Sequence, residues 1–417
     1  MPSCLKLLIL YLGLGLLAGA GTAAAVDPTS LNFTLTDTLG AFSSPRGYGY
    51  DFGTSPRAAG QPFFFSAAVP EGNFRVTVTF GDAASASDTT VKAESRRLMV
   101  EHVVTRPGEF VARTFIVNTR TTALPPPPAN APGGLSVVLN ERETGSLTWD
   151  DKLTLEFDGA APRVRTVELT RVSVPTVFIA GDSTVCDQRW EPGASWGQML
   201  PRFFSPVVAI ANHAESGETL KSFLSALRLA KILSLIKPGD YLFIQFGHND
   251  EKQQWPQTYA EASTTYRAYL RTYIAEARLR GATPVLVTPM QRRTFDASGK
   301  IRNSHGEYPA VVREVAAAEH VSVIDLERMS TVFYEALGPE KSALAFGNGG
   351  KDPTHHDNYG AYELAKCVAQ AIRGSHLPLA EWLSPDFTGF DPAHPDDPAT
   401  FQMPASPPAG EVPPPRH

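Results

Sequence analysis

The sequence predicts an all-β unit followed by an α/β unit built on a parallel sheet. Three observations carry this reading. From about residue 30 to 174, apolar and polar residues alternate in short runs such as Phe74-Arg75-Val76-Thr77-Val78-Thr79-Phe80, the pattern of half-buried strands. After Pro175, strand-length apolar runs alternate with stretches of helical spacing, which implies a parallel, doubly wound sheet. The first of those runs, Val177-Phe178-Ile179-Ala180, shows no alternation and stops at Gly181-Asp182-Ser183-Thr184. A strand covered on both faces reads this way.

The length of 417 residues favours two domains, and contents of 42% hydrophobic and 19% charged residues suit a folded soluble protein. A formal net charge of -6 leaves no basic footprint for nucleic acid or for an anionic membrane surface. Residues 1–25 have the layout of a cleaved signal peptide. Lys6 starts it, Leu7 to Leu17 form a short apolar core, and small residues follow up to Ala25. The core is too short to span a bilayer comfortably, so a secreted or periplasmic protein without a membrane partner is expected. Cys4 leaves with the signal. Cys186 and Cys367 remain, and two buried free thiols are favoured over a disulfide.

In the β-rich unit (26–174), further strand-like runs are Leu98–Val103, Glu109–Val117, Leu135–Leu139, Leu153–Phe157 and Thr166–Val174. Together they suggest a sandwich, with Pro125-Pro126-Pro127-Pro128 as an exposed extended loop. In the second unit (175–376), five strands are expected at Thr176–Ala180, Val207–Ala211, Tyr241–Phe246, Pro284–Thr288 and Val321–Leu326. Helices are expected around Trp196–Phe204, Leu220–Ile236, Tyr259–Arg280 and Tyr359–Arg373. Residues 377–417 read as a proline-rich tail whose first part packs on a domain and whose end is disordered.

Four polar stretches follow strand ends or open the last helix, which places them on the edge of an open sheet where ligands bind. They are Gly181-Asp182-Ser183-Thr184, Asn212-His213-Ala214-Glu215-Ser216-Gly217, Gly247-His248-Asn249-Asp250 and Asp352-Pro353-Thr354-His355. In combination they supply a serine hydrolase: Ser183 as nucleophile, His355 as general base and Asp352 as its orienting acid. The amides of Ser183 and Gly217 and the side chain of Asn249 are the candidate oxyanion donors. Each has a plain structural alternative: a turn at Ser183, a loop end at Gly217, a helix cap at Asn249. What those alternatives do not predict is all four stretches in this order. Asp352, His355 and His356 offer too few ligands in suitable geometry for zinc, so neither a metal nor an organic cofactor is expected.

The order Gly-Asp-Ser, Gly, Asn, Asp-x-x-His resembles that of the SGNH (GDSL-type) hydrolases over roughly residues 175–375. This resemblance implies a flavodoxin-like three-layer α/β/α fold and ester cleavage through Ser, Gly, Asn and His. The fuller wording, Gly181-Asp182-Ser183-Thr184-Val185, Gln245-Phe246-Gly247-His248-Asn249-Asp250 and Asp352-Pro353-Thr354-His355, is similar to the rhamnogalacturonan acetylesterase branch. Bacterial members of that branch carry a galactose-binding-like β-sandwich ahead of the hydrolase. Relatives often place arginine after the second-block glycine, where this chain has Glu218. His356 is expected to be a bystander or a substrate contact, and Trp190, Trp196 and Trp255 to serve packing ahead of sugar stacking.

The resulting expectation is a secreted serine esterase, monomeric, that removes acetyl groups from pectic polysaccharide. Acetylated xylan or another glycan is the alternative substrate, and an inactive carbohydrate-binding protein the alternative of another class.

Overall fold

The computed structural model describes residues 30–56 and 60–407. The expected signal peptide and the end of the tail lie outside these residues. Among the described residues the amino-terminal unit contains nine strands: β1 (Ser30–Thr34), β2 (Tyr48–Asp51), β3 (Phe63–Ala68), β4 (Gly72–Phe80), β5 (Ser87–Ala93), β6 (Arg97–Thr105), β7 (Val111–Thr119), β8 (Lys152–Ala161) and β9 (Val164–Val172). They form two antiparallel sheets, ordered β1-β9-β4-β7 and β2-β3-β8-β5-β6. Val76, Val78, Phe80, Val167 and Leu169 of one sheet meet Phe63, Phe65, Val91, Leu155 and Phe157 of the other in a shared core.

Strands β1, β2, β3 and β5 were not anticipated, and the reason is physical. β3 and β5 are buried almost throughout, so neither shows the alternation of a half-exposed strand. β5 even buries Lys92, whose Nζ is 2.7 Å from Asp158 and 3.5 Å from Glu156 of β8. The carboxy-terminal segment covers that cluster, with Lys92 donating to the Pro404 carbonyl and the Ser406 hydroxyl at 2.8 Å each. Leu135–Leu139, by contrast, forms no strand. Only an isolated bridge joins Ser136 to Ala123, and Leu135 and Val138 are exposed. The run meets residues 122–124 only at that bridge, through two backbone hydrogen bonds, too short a pairing for a strand.

The second unit runs β10 (Thr176–Gly181), α1 (Trp196–Met199), β11 (Ala209–Asn212), α2 (Leu220–Ser225), α3 (Arg228–Leu235), β12 (Tyr241–Gln245), α4 (Arg267–Leu279), β13 (Thr283–Val287), α5 (Tyr308–Glu319), β14 (Ser322–Ile324), α6 (Leu326–Lys341) and α7 (Asn358–Arg373). All neighbouring strands are parallel, in the order β11-β10-β12-β13-β14. This is the flavodoxin-like order. Val177 and Ile179 of β10 face one core with α1, α6 and α7, while Phe178 and Ala180 face the other with α2 to α5. That two-sided burial is why β10 reads as an unbroken apolar run. The stretch expected as one helix over Leu220–Ile236 is two, because Leu227 between them is left-handed at φ 61°. Helices α5 and α6 were not anticipated. Pro309 stands in the first turn of α5, and Gly338-Pro339 breaks the regularity of α6.

Strand order reverses between β10 and β12, whose carboxyl ends border one crevice. Ser183 follows the first of them and Asn249 the second.

Candidate active site

Asp182 shapes the loop that presents Ser183. Its carboxylate accepts from the Thr184 amide at 2.9 Å and the Thr184 hydroxyl at 2.7 Å, and its carbonyl accepts from Val185 and Cys186 at 3.0 Å each. A turn this tight needs glycine before it: a Cβ on Gly181 would lie 2.7 Å from Val185 and 3.0 Å from the Gln245 carbonyl. Asn212, at the end of β11, holds the loop from below through bonds to the Val185 carbonyl and to Asp187 at 2.7 and 2.8 Å. Ser183 emerges 7% exposed.

The hydroxyl of Ser183 is 2.9 Å from Nε2 of His355, and Nδ1 of the same ring is 2.8 Å from Asp352. The other Asp352 oxygen accepts from the amides of Thr354 and His355 at 2.8 and 3.0 Å. Partial burial pushes Asp352 up, but the His355 and Thr354 amides and the His355 ring outweigh it and hold the carboxyl below its ordinary value. An ionised Asp352 assigns the ring proton to Nδ1, which leaves Nε2 as acceptor for the serine hydroxyl. The His355 side chain is 40% exposed, so substrate can approach this line from solvent.

On the far side of Ser183 lie the other two stretches. Gly217 is left-handed at φ 81°. Neither its amide nor that of Ser183 has an acceptor among the described residues. Asn249 donates to the Glu218 carbonyl at 3.1 Å and accepts from Lys252 at 2.7 Å, which fixes its amide orientation and leaves a second N–H to spare. Asp250 stitches the two stretches together, accepting from Leu220 at 2.9 Å and Gly247 at 3.0 Å. Burial pushes Asp250 up to about 8 against the pull of these amides.

Glu218 does not face the crevice with its carboxylate. That group accepts from the Arg228 guanidinium at 3.0 Å and from the Ser222 hydroxyl, beside Thr219, which caps the start of α2. His356 turns away from His355. It is buried, with Nε2 bonded to the Tyr334 hydroxyl at 2.7 Å, and burial pulls it down to about 3. It is therefore a packed bystander, with no substrate contact open to it. Trp196 is core, its indole donating to Gln245 at 2.8 Å. Trp190 is half-buried beneath Arg189, and Trp255 is 48% exposed beneath Lys252, the residue that holds Asn249. Both cysteines are buried free thiols. Among the described residues, no three His, Cys, Asp or Glu side chains converge as metal ligands.

The β-rich unit reaches into this site, which sequence reasoning missed. Arg96 and Arg97 stand at the β5–β6 turn. Arg97 pairs with Asp187 at 2.6 Å, and Arg96 pairs with Glu191 at 2.6 Å and donates to the Gly193 carbonyl at 2.7 Å. Arg142 pairs with Glu215 at 2.9 Å and donates to the Ser216 carbonyl. No local pattern marks these arginines, because their partners lie tens of residues away in sequence.

The profile of the GDSL-like Lipase/Acylhydrolase family matches residues 179–361. The rhamnogalacturonan acetylesterase RhgT of Bacillus subtilis (strain 168) is 42% identical over 220 residues, covering 50% of this chain and 93% of that protein. The chain belongs to the GDSL-like lipase/acylhydrolase family. A probable rhamnogalacturonan acetylesterase of the same organism, YesY, is 40% identical over 210 residues, 49% of this chain and 95% of its own. The uncharacterized esterase YxiM, also from B. subtilis, is 28% identical over 314 residues, 74% of each chain. Membership makes the protein a carboxylic-ester hydrolase. No helix among the described residues is long and apolar enough to cross a membrane.

Proposed function

We propose that the protein is an exported esterase that removes acetyl groups from rhamnogalacturonan by a Ser-His-Asp mechanism. The observation that carries this is the hydrogen-bonded line Ser183–His355–Asp352, at 2.9 and 2.8 Å. The identity of 40–42% to proteins named rhamnogalacturonan acetylesterases supports the substrate. Trp190, on the wall of the cavity beside Ser216, and the 48% exposed Trp255 are consistent with a sugar ligand.

Ser183 Oγ attacks the acetyl carbonyl carbon while its proton passes to His355 Nε2. The resulting oxyanion is received by the amides of Ser183 and Gly217 and the spare N–H of Asn249. Collapse breaks the ester bond; His355 returns the proton to the departing sugar oxygen and an acetyl-enzyme remains. Water then attacks that acyl carbon, gives its proton to His355, and acetate leaves as Ser183 is reprotonated. Asp352 stabilises the imidazolium at each stage.

The test is acetate release from acetylated pectin, xylan and mannan by the wild type and by Ser183→Ala. Rhamnogalacturonan is expected to be the preferred polymer, and Ser183→Ala to lose activity by several orders of magnitude, roughly 10⁴-fold or more. Full activity in Ser183→Ala overturns the mechanism, whereas a preference for xylan overturns the substrate and leaves the mechanism standing.

A further inference from the structure

We infer that the cavity in the seam between the two units is a subsite for a glycan carboxylate, which makes the enzyme selective for acetylated polymers carrying uronic acids. This rests on the glycan-esterase reading above. The cavity, of about 170 Å³, is walled by Arg120, Arg142 and Trp149 of the β-rich unit and by Arg189, Trp190 and Ser216 of the hydrolase unit.

It abuts the reacting groups. Gln188, on its wall, donates to the Ser183 carbonyl at 2.6 Å, and Ser216 directly precedes Gly217. A Cβ on Gly217 would lie 3.3 Å from the Arg142 guanidinium. A polymer whose ester sits at Ser183 therefore runs past this opening.

The charges on the wall are unevenly matched. Its carboxylates each hold a cation: Glu143 with Arg228, Asp187 with Arg97, and Glu215 with Arg142. Arg120 has no such partner. The residue is 3% exposed, its guanidinium lies 4.4 Å from the Trp149 ring, and Nε and Nη1 donate to no acceptor among the described residues. Burial, and then repulsion from Arg97, pull it down to about 9 against the attraction of Asp187 and Glu94. Arg189 donates only to the carbonyls of Thr144 and Gly145, at 3.2 and 3.0 Å, and stacks on Trp190 at 4.8 Å.

Two guanidinium groups thus border the cavity without a carboxylate in direct contact, Glu94 and Asp187 attracting Arg120 only from beyond ion-pair distance. A buried unpaired charge is costly, and a planar anion recovers the cost because it matches the guanidinium fork. Trp190 supplies an apolar surface for the sugar ring that carries such an anion. A neutral glycan could accept from either arginine but would neutralise neither, and in this way the β-rich unit would contribute to substrate choice.

Titration calorimetry of the full-length protein with a galacturonate trisaccharide and with its uncharged methyl ester tests the subsite. The free acid should bind the wild type about tenfold tighter or more, the worth of a charge-assisted pair. Arg120→Met and Arg189→Met should each bring the two ligands within about twofold. Arg120→Met removes an unpaired buried charge and should not lower Tm; should it unfold the protein, Arg189→Met, at a partly exposed position, decides. Equal binding of acid and ester by the wild type, no binding of either, or a preference that survives the replacements overturns the subsite. Acetate release is scored separately: failure on every acetylated glycan overturns the esterase reading, while a carboxylate preference in the binding arm is independent of it.

Discussion

The side chain of Asn249 is held at both ends. Its amide donates to the Glu218 carbonyl at 3.1 Å and its oxygen accepts from Lys252 at 2.7 Å. A donor pinned in this way needs no reorganisation when charge develops on the substrate oxygen, the condition under which an oxyanion donor contributes most. The proposed mechanism therefore makes a sharp claim about one atom. Asn249→Ala is expected to lower kcat by about 10²- to 10³-fold with little change in KM, because the lost interaction belongs to the transition state. Steady-state kinetics on an acetylated glycan, with Tm measured alongside, checks it. A rise in KM at unchanged kcat would place Asn249 in ground-state binding instead.

The elements of the hydrolase unit were largely legible because β10 and β12 are buried on both faces and end in glycine-bearing turns, and because α7 has a strong apolar face. Residues Ser183, Gly217, Asn249, Asp352 and His355 could be named as candidates from their order, since each stretch follows a strand or precedes a helix, and the structure brings Ser183, His355 and Asp352 into one hydrogen-bonded line. What could not be read is the β5–β6 turn. Its arginines find partners about 90 residues away, and nothing local encodes that pairing. Arg97 and Asp187 are both almost fully buried, so removing one strands the other. Arg97→Met is expected to destabilise the protein by about 3–5 kcal/mol. Adding Asp187→Leu should recover much of that loss, since a buried pair is often replaceable by apolar groups. Urea unfolding of the two single variants and the double variant measures the coupling; strictly additive losses would show that the turn does not brace the Ser183 loop through this pair.

Across the whole molecule, buried titratable groups pull stability in opposite directions as pH falls. Burial keeps His356 and His248 neutral, at about 3 and about 4, against an ordinary 6.5. Unfolded chains take up protons below pH 6.5 while the folded chain does not, so each histidine costs stability from pH 6.5 down to its folded value. Asp250, pushed up to about 8, and Asp150 and Glu363, each pushed up to about 7, act the other way. They are protonated in the fold where the unfolded chain is ionised, and their penalty fades with acid. The net slope is a small difference of large terms, so a single variant is more informative than the wild-type curve. His356→Gln loses the stack on Tyr334 at every pH, a constant offset, but it also removes the acid penalty. Between pH 7 and pH 5 that penalty grows to about 2 kcal/mol. Relative to the wild type, the variant should therefore gain about 2 kcal/mol over this interval, read from urea unfolding at both pH values. A stability difference that does not change with pH would mean that His356 is charged in the fold, and the Tyr334 hydroxyl would then have to accept from it.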